Sequence, residues 1–204
     1  MSKGTIMVIG VTGGVGTGKS TILQILKEKY NAVIIIADDI ARDLMMPHEA
    51  SYEAAVRYFG EDILTEGPGS PIDRAHLAQI VFHDPEKLEA LNNMTHPLVK
   101  TKIRSLIDAY QSEGRGLIVL ETAILIRAGY LDIVDELWVI CADYETRVQR
   151  LMASRGYTRE KTDSIIRSQM SDEEMTQYAA LVIDNSRSID FTEEQIRQHM
   201  LQIL

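Results

Sequence analysis

GVTGGVGTGKST, residues Gly10 to Thr21, decides how the rest of this chain is read. Before it runs Thr5-Ile6-Met7-Val8-Ile9, which predicts a strand over Thr5–Val11. After it Ile22, Leu23, Ile25 and Leu26 make an apolar stripe that predicts a helix over Gly18–Tyr30. The stretch itself holds five glycines and then one lysine. Glycine has no Cβ, so successive amides can turn inward and the backbone can come close to an anion. Gly13, Gly18, Lys19 and Ser20 match Gly-x4-Gly-Lys-Ser, and a strand before with a helix after is the context a phosphate-binding P-loop needs. The helix adds its positive N-terminal end. Lys19 is expected to reach the terminal phosphates of a nucleoside triphosphate, and Ser20 to contact Mg²⁺. This motif alone does not separate a kinase from a GTPase or a motor ATPase.

Working outward, further short apolar runs predict strands at Ala32–Ile36, Gly116–Glu121, Glu136–Cys141 and Leu181–Asp184. Helices are predicted at Asp38–Leu44, Asp143–Ser154, Arg159–Gln169, Asp172–Ala179 and Thr192–Ile203. Thr192 followed by Glu193 and Glu194 marks the start of the last one. Strand–helix alternation implies an α/β fold, a P-loop NTPase with a five-stranded parallel sheet. Residues 49–111 show only helical spacing and read as a helical insertion, with Thr65–Pro71 a surface turn and Pro97 breaking or kinking a helix. The nucleotide-binding core is then 1–48 and 112–204. GLIVLE, Gly116–Glu121, ends in a carboxylate placed beside the P-loop; Glu121 either holds the Mg²⁺ shell through water or orients a substrate.

Composition narrows the function classes. A formal charge of −9 argues against general nucleic-acid binding, which needs a surplus of Lys and Arg. No apolar run is long enough to span a bilayer, and the N-terminal residues lack a signal-peptide pattern, so no membrane is expected. Cys141, the single cysteine, excludes an internal disulfide framework and reads as a small buried hydrophobe after a strand, in keeping with a cytoplasmic protein. No Asn-Lys-x-Asp run is present to read guanine.

Several runs resemble the dephospho-CoA kinase family over nearly the whole length. They are GVTGGVGTGKS, then ADDIAR (Ala37–Arg42), YFGEDIL, IDRAHLAQIVFHDPEKLEAL, THPLV and VIDNS (Val182–Ser186). The P-loop is widely shared; FGEDIL, DRAHLAQIVF and HPLV are distinctive. The resemblance implies a core, a helical CoA-binding domain at 49–111 and a lid at about 143–180. It implies transfer of the ATP γ-phosphate to the ribose 3′-hydroxyl of dephospho-CoA, by a monomer or small homo-oligomer. It also implies that Gly13, Gly14, Val15, Gly16, Thr17, Gly18, Lys19, Ser20 and Thr21 bind ATP phosphates. By the same resemblance Asp38 and Arg42 face the acceptor, His96 lies by the acceptor site, Asn185 lies near adenine, and Arg150 and Arg155 belong to a lid that closes on the triphosphate.

The residues themselves support such roles at Asp38 and Asp39. They stand just past a predicted strand, where ligands bind in open α/β sheets. One acid is expected to orient the hydroxyl, with Asp38 in that role, and the other to cap the following helix. The chain departs from the family in places. The first acid of Asp-x-Asp is Ile36, read here as the end of a buried strand. Pro-Leu-Leu-Phe-Glu becomes Ala123 to Arg127, and a lid arginine falls on Ser154 with Arg155 one place later. Two other readings therefore stand beside the kinase at this point: a different P-loop nucleoside or nucleotide kinase, and a nucleotide-binding regulatory protein.

Overall fold

The computed structural model describes residues 6–203. Its strands are β1 (Met7–Thr12), β2 (Val33–Ile36), β3 (Leu117–Glu121), β4 (Glu136–Cys141) and β5 (Leu181–Asp184), in one sheet of order β2-β3-β1-β4-β5. Its helices are α1 (Lys19–Tyr30), α2 (Ala37–Leu44), α3 (Ala50–Phe59), α4 (Arg74–Phe82), α5 (Pro85–Ser112), α6 (Tyr144–Arg155), α7 (Arg159–Arg167), α8 (Asp172–Thr176) and α9 (Ile189–Ile203). All five predicted strands are present; Thr5, placed at the start of the first, lies outside the described residues.

β1 is central. Gly10 pairs with Leu120 of β3 on one side and Leu137 of β4 on the other, both in parallel. Its β-branched residues Val8, Ile9 and Val11 are buried, as a strand covered on both faces requires. Ile22, Ile25 and Leu26 of α1 and Ile196 and Met200 of α9 pack into the same core with Trp138 and Ile140. Fully burying each such side chain stabilises the fold by roughly 1.5–3 kcal/mol. The segment after β1 thus leaves the middle of a rigid sheet.

The chain divides into two compact units. One takes residues up to Ile35 together with the chain from Tyr110 onward; the other takes Ile36–Ala109. The second begins ahead of residue 49 because α2 follows β2 without a linker and packs against α3. Its own core gathers Tyr52, Ala55, Ile63, Leu64, Ile72 and Leu77. The Thr65–Pro71 turn is tied at its base by an antiparallel bridge between Leu64 and Ile72, and Tyr52 Oη donates to the Ser70 carbonyl at 2.8 Å.

Several local expectations are corrected. α9 starts at Ile189, a turn before Thr192: Ser188 Oγ accepts from the Phe191 amide at 3.3 Å, while Thr192 is wholly buried. α5 continues through Pro97 to Ser112 instead of ending there. α7 stops at Arg167 and α8 at Thr176, both short of the predicted ends. Ile36 is 36% exposed and sits at the N-cap of α2. Asp39 does not cap that helix; it lies inside its first turn and pairs with Arg42 Nη2 at 2.9 Å. Cys141 is the last residue of β4 and only half-buried.

Candidate active site

The Gly13–Gly18 loop turns tightly on itself between β1 and α1. Thr17 Oγ1 donates to the Gly14 carbonyl at 2.9 Å, and Gly16 and Gly18 adopt φ of +80° and +87°, which side chains disfavour. Lys19 opens α1 and its ammonium folds back across the loop. Nζ donates to the Gly13 carbonyl at 2.9 Å and the Gly14 carbonyl at 3.4 Å, with Glu121 Oε1 at 3.9 Å. The cation and the N-terminal end of α1 belong to one short stretch, and both favour an anion.

The loop is held from behind by side chains that come from far along the chain. Asn185, 4% exposed, donates from Nδ2 to the Thr17 carbonyl at 2.7 Å and accepts from Thr192 Oγ1 at 2.9 Å. Its carboxamide thus ties the loop to the start of α9. A Cβ on Gly18 would stand 2.3 Å from that Nδ2, so Asn185 itself demands glycine there. Arg150 spans the same region: Nη1 lies 3.2 Å from the Thr17 carbonyl and 3.4 Å from the Gly16 carbonyl, and Nη2 lies 2.8 Å from the Asn185 carbonyl. The expected lid arginine is a brace of the loop in this structure. Arg155 is exposed on the last residue of α6, which Gly156 ends with φ +64°.

Sequence reasoning misses Arg147 and Gln169. Arg147 Nε donates to the Val15 carbonyl at 2.9 Å, and Gln169 Oε1 accepts from the Val15 amide at 2.7 Å. The available signal is spacing: residues 147 and 150 lie three apart on one helix and share a face. Near them burial, more than the Asp172 carboxylate, pushes the Cys141 thiol up to about 11. Burial also raises Asp172, against the opposing pull of Arg147. Cys141 is therefore held as the neutral thiol at pH 7.

Asp38, Arg42 and His96 belong to the second unit. Asp38 is exposed in the first turn of α2, one turn ahead of Arg42. His96 lies within α5, and burial lowers its pKa, so it is neutral at pH 7. Among the described residues no group of three or more His, Cys, Asp or Glu stands together as a ready metal site. The donors that fit Mg²⁺ are the exposed Ser20 hydroxyl in the first turn of α1 and the Glu121 carboxylate beside Lys19. Both are hard oxygen donors, and a cation held by so few protein groups completes its shell with phosphate and water.

A family model described as dephospho-CoA kinase matches residues 7–190. A dephospho-CoA kinase of Carboxydothermus hydrogenoformans is 45% identical over 189 residues, covering 93% of this chain and 90% of that one. One from Geobacter sulfurreducens is 37% identical over 191 residues, covering 94% and 95%. Among solved structures, dephospho-CoA kinase from Campylobacter jejuni superposes with a TM-score of 0.68 at 25% identity, covering 95% of each chain.

Proposed function

The chain belongs to the dephospho-CoA kinase family, and from that premise we propose how its residues divide the transfer of the ATP γ-phosphate to the ribose 3′-hydroxyl of dephospho-CoA. The observation that carries the reading is the P-loop, held in shape by the protein with Lys19 Nζ resting on the Gly13 carbonyl. The triphosphate binds along the loop from Gly13 to Thr21 at the start of α1. Lys19 exchanges its carbonyl contacts for the terminal phosphate oxygens, where negative charge must be stabilised in the transition state. Ser20, with Glu121 acting through water, would hold Mg²⁺, which would supply neutralisation of phosphate charge.

On the acceptor side, Asp38 orients the 3′-hydroxyl and takes its proton as the new P–O bond forms. The bond from the γ-phosphorus to the β-bridging oxygen breaks, and ADP leaves. An exposed carboxylate in the first turn of a helix is available for this, whereas Asp39 is engaged with Arg42. Arg42 and neutral His96 contribute to the acceptor's hold. Arg150 and Asn185 keep the loop in shape under the nucleotide, and Arg155 is the exposed guanidinium available to it. A cytoplasmic setting suits a chain whose single cysteine is a free thiol.

The test is a product assay. The protein is incubated with ATP, Mg²⁺ and dephospho-CoA, then with a panel of nucleosides, and products are identified by mass spectrometry. CoA and ADP in equal amounts are expected only with dephospho-CoA. Phosphorylation of a nucleoside in preference to dephospho-CoA, or binding of ATP with no transfer, would overturn the reading.

A further inference from the structure

We infer that Arg147 and Gln169 are positioning residues that hold Val15, the third residue of the phosphate loop, by both of its backbone groups and so set the loop's shape for phosphoryl transfer. The inference rests on the reaction proposed above. Arg147 Nε donates to the Val15 carbonyl at 2.9 Å and Gln169 Oε1 accepts from the Val15 amide at 2.7 Å, from positions 132 and 154 residues away. The Val15 peptide groups cannot rotate without breaking one of these bonds. Any such rotation carries over to Gly16, Thr17 and Gly18, whose amides lead into Lys19.

Arg147 is unusual for its surroundings. It is 7% exposed, and a buried guanidinium is costly unless it is paired and hydrogen-bonded. Its partners explain its position. Nη1 lies 3.5 Å from Asp172 Oδ1, at the start of α8. The guanidinium lies directly against Gly14, where an added Cβ would meet Nη2 at 2.2 Å. A Cβ on Gly16 would meet the Arg147 carbonyl oxygen at 3.0 Å. One residue of α6 thus touches Gly14, Val15 and Gly16 in succession. Gln169 lies in the link between α7 and α8, three residues before Asp172. The 169–172 link is therefore fastened to the loop twice, once directly and once through Arg147. A lysine cannot replace this fork, since it has no Nε–H and no planar face to lie on a glycine.

The test uses the full chain with Arg147→Met, Arg147→Lys, Gln169→Ala and the Met/Ala double variant. Calorimetry reads Kd for a non-hydrolysable ATP analogue, and kinetics read kcat and both KM values. Arg147→Met is expected to weaken the analogue by about 10-fold or more, the loss of a charge-assisted hydrogen bond. KM for dephospho-CoA should stay within about twofold, because that substrate does not depend on the Val15 peptide. Gln169→Ala should shift the analogue in the same direction by about 3-fold, one neutral hydrogen bond. The double variant should fall short of the product of the two, since the two bonds flank one residue and either loss already lets Val15 turn. Arg147→Lys should recover little. Unchanged analogue binding in Gln169→Ala, fully multiplicative effects, or a lysine variant like wild type would each overturn the inference. Gln169 is only half-buried, so its variant decides the matter if Arg147→Met does not fold. If wild type binds the analogue and makes no CoA, the acceptor reading fails while the analogue Kd still judges the clamp.

Discussion

Replacing Ile36 by Asp separates the capping of α2 from the burial of an apolar side chain. Ile36 holds the N-cap with φ −102° and ψ 110°, the extended geometry capping residues adopt, yet its side chain offers no acceptor. The amides of Asp38 and Asp39 are the ones a capping side chain would take. At 36% exposure Ile36 keeps about two-thirds of the roughly 1.5–3 kcal/mol that full burial gives, so Ile36→Ala should cost about 1–2 kcal/mol. An Asp or Asn cap is worth about 1 kcal/mol over Ala. Ile36→Asp and Ile36→Asn should therefore melt above Ile36→Ala by about 2–4 °C and near or slightly below wild type. Thermal unfolding at pH 7, followed by circular dichroism, checks this. If neither Asp nor Asn exceeds Ala, the helix does not begin where the backbone places its cap. Turnover of dephospho-CoA gives the second readout. Ile36→Asp restores the first acid of the Asp-x-Asp stretch, so kcat should rise in that variant and not in Ile36→Asn. Equal turnover in the two would refute any chemical part for a carboxylate at this position.

Other expectations are simpler to state. Lys19→Ala should lower kcat by about 10²–10³-fold with an unchanged circular dichroism spectrum, because its ammonium contacts loop carbonyls and the Glu121 carboxylate instead of the core. Near-normal turnover would sink this. Asp38→Asn should depress turnover by about 10²–10⁴-fold with ATP-analogue binding retained. Asp39→Asn should change stability by under about 1 kcal/mol, since its pair with Arg42 is solvent-exposed; the reverse pattern would exchange the two roles. Asn185→Ala should lower stability by about 2–3 kcal/mol and weaken nucleotide binding together, as the Thr17 carbonyl and Thr192 hydroxyl lose their shared partner. A change in binding with no change in melting would return Asn185 to a purely ligand-facing role. His96 has a folded pKa below its unfolded value near 6.5, so its contribution is fully present above that pH and is lost as pH falls through it toward the folded pKa. His96→Asn should flatten the melting temperature between pH 7 and pH 5 relative to wild type, and an unchanged slope would refute the assignment.

The legible parts of this fold are those written in local pattern. Val8, Ile9 and Val11 before the glycines, and Ile22, Ile25 and Leu26 after them, declare a strand and a helix because period and β-branching act over a few residues. The errors share a cause. Thr192 reads as a cap from its acidic neighbours, but its hydroxyl is spent on Asn185 and Ser188 caps instead. Pro97 reads as a break or a kink, and α5 runs through it without a break. Ile36 reads as the tail of a buried strand because Val33, Ile34 and Ile35 precede it, while the turn into α2 brings it to the surface. At Thr192 a tertiary partner, and at Ile36 a direct junction, overrides local preference. Arg147 and Gln169 show the same limit at the site. The spacing from Arg150 puts Arg147 on a shared helix face but does not name Val15, and only the packing of α6 and the link before α8 brings both residues to it.

At Gly14 and Gly18 the side chains of Arg147 and Asn185 fill the space a Cβ would take. The consequence concerns when the loop loses its freedom. Fixing the six residues Gly13–Gly18 removes backbone entropy of roughly 6–12 kcal/mol at about 1–2 kcal/mol each. In this chain that loss accompanies folding, when α6, α9 and the sheet come together around the loop. A nucleotide arriving later meets a loop already ordered, and its binding free energy is not drained by ordering the segment that receives it.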